Sequence, residues 1–138
     1  MLPITAASVR LTLHILGACV WIGGQIVLAA EVGVVRAHGG VDATRAVARR
    51  FRAVAWPAFG LLVATGVWNL LAIDPADQSG AYLTTLFVKL GLVAGSGVAA
   101  AAHTVVARTR PALGGLLAAV ALGAAVAAAF LGELLAVG

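Results

Sequence analysis

Few side chains in this sequence can take part in acid–base or ligand chemistry, and several of them sit inside long apolar runs. His14 lies within RLTLHILGACVWIGGQ, Arg10 to Gln25. At helical spacing His14, Gly17, Ala18, Trp21 and Gln25 share one face. That face offers one ring nitrogen for a metal or a proton, small residues that permit close approach, and one large aromatic. The only lysine, Lys89, and a second histidine, His103, lie in a later apolar run, Glu133 lies in the last, and Asn69 ends the second. An ionisable group at membrane depth has no water to solvate it, which makes each of these a candidate for function.

The elements that must position these residues follow from composition. Of 138 residues, 62% are hydrophobic and 10% charged, with a mean hydropathy of +1.08. A soluble domain carries about 25% charged residues. The chain therefore reads as an all-α integral membrane protein, a single four-span domain over residues 1–138 forming a four-helix bundle. The spans run roughly over 6–30, 53–73, 82–106 and 112–137, each long enough for a bilayer. No cleavable leader is expected, because MLPITAAS lacks a basic start. Cys19, the lone cysteine, reads as a buried apolar packer.

The connections set the orientation. Between spans one and two lie Arg36, Arg45, Arg49, Arg50 and Arg52, with a break at His38-Gly39-Gly40 and Asp42 as a helix N-cap. Pro57 is expected to bend the second span, and Trp56 and Trp68 to mark its two ends. The next connection, DPADQSG, is acidic; the last carries Arg108 and Arg110 before Pro111. The positive-inside rule then puts both termini on the non-cytoplasmic side of a bacterial-type inner membrane. This asymmetry also accounts for the net charge of +4 without nucleic acid.

Helical rise fixes depth. His14 and Lys89 each fall roughly 10 Å below the outer surface, and Glu133 about 5–8 Å from the same side. With Asn69 they form one expected polar cluster. His103 lies two heptads beyond Lys89, on nearly the same face but roughly 21 Å deeper. Each residue has a plainer role open to it: Lys89 snorkelling, Glu133 solvated at the rim, His103 hydrogen-bonded in packing. Gly114, Ala118, Ala121, Ala125, Ala128 and Gly132 make a small-residue strip along the last span, suited to close helix packing or to a flat cofactor.

Three stretches carry a resemblance. The run HxxGxxxWIGG from His14 to Gly24, RRFRAVAWPAFGLLVATGVWNLL from Arg49 to Leu71, and FVKLGLV with His103 and Pro111 downstream resemble the copper-resistance D (CopD) superfamily and the related HemJ-type membrane protoporphyrinogen oxidases. The resemblance implies a membrane oxidoreductase binding haem b, with His14 and Lys89 as the functional pair and His103 as a further match. On this reading His14 is a metal ligand, Trp21 and Asn69 shape the cofactor pocket, and Lys89 and Glu133 take the catalytic roles. Their separation in depth keeps His14 and His103 from being the two axial ligands of one haem in a single subunit. The reaction would oxidise a porphyrinogen or exchange electrons with a quinone. Arg36 and His38 are loose counterparts of an arginine and histidine that HemJ-type proteins carry after the first span.

A CopD-like role in copper handling is the alternative, with His14 and His103 as metal ligands. Cu(I) prefers thiolate and thioether donors, and the chain has only Met1 and Cys19. A third reading is a non-catalytic subunit of a larger membrane complex. The lipid bilayer is the expected partner in every case, and leftover small-residue faces suit a homo-oligomer or a membrane-complex partner.

Overall fold

The computed structural model describes residues 3–137. They are helical throughout apart from short connections: α1 (Ala6–Leu70), a 3-10 turn (Pro75–Asp77), α2 (Gly80–Val106) and α3 (Pro111–Val137). All three α-helices are long and apolar enough to cross a membrane. The chain divides into two compact units, residues 1–73 and 74–138.

The first unit is α1 folded back on itself. Thr5 and Ser8 open the helix with a reciprocal capping box. The expected break is at Gly40, whose φ of 70° and ψ of −165° belong to a region that only glycine enters easily. Gly39 is also constrained, because a Cβ there would stand 2.5 Å from that of Ala43. Residues 41–52 are helical, as an N-cap near Asp42 implied, and residues 31–38 are helical too, where a polar connection was expected. Apart from the glycine pair this stretch has no strong helix breaker, so both arms continue past their apolar runs. Asp42 lies inside the helix, where its carboxylate faces Arg45 at 3.6 Å instead of capping a terminus. Pro57 sits within continuous helix, and Gly40 is the one non-helical residue inside α1.

The two arms pack antiparallel through small and aromatic side chains. A Cβ on Gly17 would stand 3.0 Å from the carbonyl oxygen of Ala58, and one on Gly24 would stand 2.5 Å from the ring of Phe51. Between these approaches Trp21, 3% exposed, meets Phe59 at 4.4 Å and Trp56 at 5.6 Å between ring centroids. Trp56 thus joins an aromatic cluster and is not simply a mark of the membrane boundary.

The second unit is the α2–α3 hairpin. Ser79 caps α2 by accepting from the Tyr82 N–H, and Pro111 opens α3 without needing a donor. The seam is the expected small-residue strip: Gly114, Ala121, Ala125 and Ala128 are buried on α3, opposite the buried Ser96 and Ala99 of α2. A Cβ on Gly114 would stand 2.7 Å from the Ala107 Cα. Along this length the strip is used for packing by α2, so it does not leave the slot for a flat cofactor that was its other reading.

Candidate functional site

Backbone carbonyls and hydroxyls fix the state of the first-span histidine. His14 Nδ1 lies 3.0 Å from Thr65 Oγ1. The Thr65 hydroxyl has one proton, and it points to the Leu61 carbonyl at 2.7 Å, with the Leu62 carbonyl at 3.1 Å. Its oxygen therefore accepts from the Nδ1–H of His14. Thr65 is 4% exposed and His14 half-buried, so the pair is shielded from competing solvent. Gly66 lies beside the ring: a Cβ there would stand 3.4 Å from His14 Cε1.

One turn toward the open end of the same hairpin, the Arg10 guanidinium lies over the Trp68 ring at 5.9 Å from its centroid. Its Nε is buried and has no hydrogen-bond partner among the described residues. Trp21 closes the other side of the face, and Gln25 donates to the Trp21 carbonyl at 2.9 Å. Asn69 is half-buried next to Trp68 in sequence. His14, Trp21 and Asn69 thus belong to the first unit, with Arg10, Thr65 and Trp68 as neighbours that spacing alone did not single out. For Arg10 the signal was its place four residues before His14; Thr65 and Trp68 had none, because their partners lie on the other arm.

Lys89, His103 and Glu133 belong to the second unit. Lys89, Ser96 and His103 repeat at seven-residue spacing on one face of α2. Ser96, 1% exposed, donates to the Ala121 carbonyl at 2.7 Å. One heptad on, His103 Nδ1 donates to the Gly114 carbonyl at 2.8 Å. One heptad back, the register places Lys89 opposite Ala128, but its Nζ reaches a turn further, 2.9 Å from where a Gly132 Cβ would be. Lys89 therefore leans toward the helix ends, as a snorkelling lysine does. Glu133 is exposed and forms no ion pair with Lys89 among the described residues. His103 likewise donates through Nδ1, but its bond repeats what Ser96 does and is accounted for by the seam.

Among the described residues no three His, Cys, Asp or Glu side chains come together as a metal-binding group. Cys19 is exposed on α1 and not the buried packer expected. An iron porphyrin needs a neutral imidazole nitrogen and partners for its carboxylates. The first unit offers the oriented imidazole of His14 and the buried, unpartnered Nε of Arg10, so its donor set fits such a group. No protein-family model, curated protein or solved structure matches this chain.

Proposed function

We propose that this chain is a four-span bundle of the inner membrane, both termini non-cytoplasmic, that holds haem b through His14 and works as a redox protein. The observation that carries this reading is the Leu61 carbonyl–Thr65–His14 chain of hydrogen bonds. Ligating histidines characteristically donate their other ring N–H to a fixed acceptor, which sets ring orientation and raises basicity. Here that acceptor is itself oriented by the helix backbone. Trp21, Phe59 and Trp56 hold the two arms together beneath the ring, so the imidazole sits on packed helices and not on a loop. The haem would supply one-electron transfer, with ligand and burial setting its potential.

The resemblance to HemJ-type and CopD-like proteins supports the same choice of His14. Lys89, half-buried over Gly132 and without an ion-pair partner among the described residues, is the candidate proton or anion handler in the second unit. Porphyrinogen or quinol is the substrate class this reading favours.

The test is an absorption spectrum of detergent-purified protein, oxidised and reduced, beside iron and copper analysis. A Soret band with one iron per chain, lost in His14→Ala, is expected. Absence of the band after haem supplementation overturns the reading, and stoichiometric copper lost in His14→Ala replaces it with copper handling.

A further inference from the structure

We infer that Arg10 is the carboxylate anchor of the group that His14 holds, so that the ligand is recognised by its acidic edge as well as by its metal. The inference rests on the haem reading above. Arg10 and His14 are one helical turn apart on the same face of α1. The guanidinium is permanently charged, and Trp68 holds it by its π-face, leaving the N–H edge to seek an acceptor. Nε is buried and lacks one. A buried N–H without an acceptor is costly, and the ring of Trp68 meets the charge of the guanidinium without accepting that hydrogen bond. The acidic residues of that unit are Glu31 and Asp42, and Glu31 alone lies roughly 30 Å along the helix from Arg10. Arg10 makes no ion pair among the described residues. A planar guanidinium matches a carboxylate with two parallel hydrogen bonds, which fits the propionates of a porphyrin.

The experiment titrates the detergent-purified full chain with haemin and with haemin dimethyl ester, whose carboxylates are blocked, following the Soret band. Wild type is expected to bind haemin roughly tenfold or more tightly than the ester, as a charge-assisted hydrogen bond implies. Arg10→Gln should bring haemin down to the ester's affinity and leave the ester unchanged. Equal affinities in wild type, a comparison that needs no variant to fold, overturn the anchor while leaving His14 as ligand. Retention of the preference in a folded Arg10→Gln protein overturns it too. Failure of wild type to bind either compound overturns the haem reading itself.

Discussion

The imidazole of His14 donates to the hydroxyl of Thr65 at 3.0 Å, across a separation of 51 residues in the chain. This contact between the two arms of α1 orients the ring, and the Leu61 carbonyl behind Thr65 orients the hydroxyl in turn. The same hairpin brings Trp68 to Arg10 a turn away. Everything proposed about the first unit depends on this pairing of arms.

Thr65→Val keeps the shape of the buried site but removes the acceptor. The expected result is haem affinity lowered about tenfold or more, in the range seen when outer-shell partners of a metal ligand are lost. Thr65→Ser should restore most of it. Absorbance titration of both variants checks this, and equal affinity in the valine variant would show that the hydroxyl does not set the ring.

His103→Ala should leave the Soret band and its reduced-state position unchanged, because the seam already accounts for that ring. It should weaken the α2–α3 hairpin by about 1 kcal/mol, as losing one interhelical hydrogen bond in a membrane protein does. Unfolding in mixed micelles, followed by circular dichroism, measures the second effect. A lost haem signal would make His103 a ligand.

Two glycines of α3 separate packing from composition. Gly114→Val forces a side chain against the Ala107 backbone and should cost about 1–3 kcal/mol or prevent the hairpin from closing. Gly123→Ala meets nothing within 4 Å and should be neutral or slightly stabilising. The same unfolding assay ranks them, and an equal loss in both would mean that helix propensity, not the seam, governs stability.

At the hairpin bend, Gly40→Ala should destabilise by about 1–3 kcal/mol, because alanine cannot take that φ without strain. Gly33→Ala, in open helix, should gain up to about 1 kcal/mol. If the alanine at position 40 were tolerated, the arms would have to meet through a different turn.

Much of this architecture was legible from residue types alone. Apolar length defined the helical runs, Gly39-Gly40 located the bend, and the small residues from Gly114 to Gly132 marked a packing face, because each is a local property of backbone and side-chain size. The extent of the first arm was not, since residues 31–38 follow the apolar run yet contain no strong helix breaker, so the end of the apolar run misled where propensity ruled. His14 stood out as an ionisable group in an apolar run. The partner of its ring did not, because Thr65 lies on the opposite arm. Nor did the place of Arg10 on Trp68. Helical period fixes which residues share a face; only the pairing of distant segments decides what that face meets, and here that pairing sets the ring of His14 against Thr65 and the guanidinium of Arg10 on Trp68.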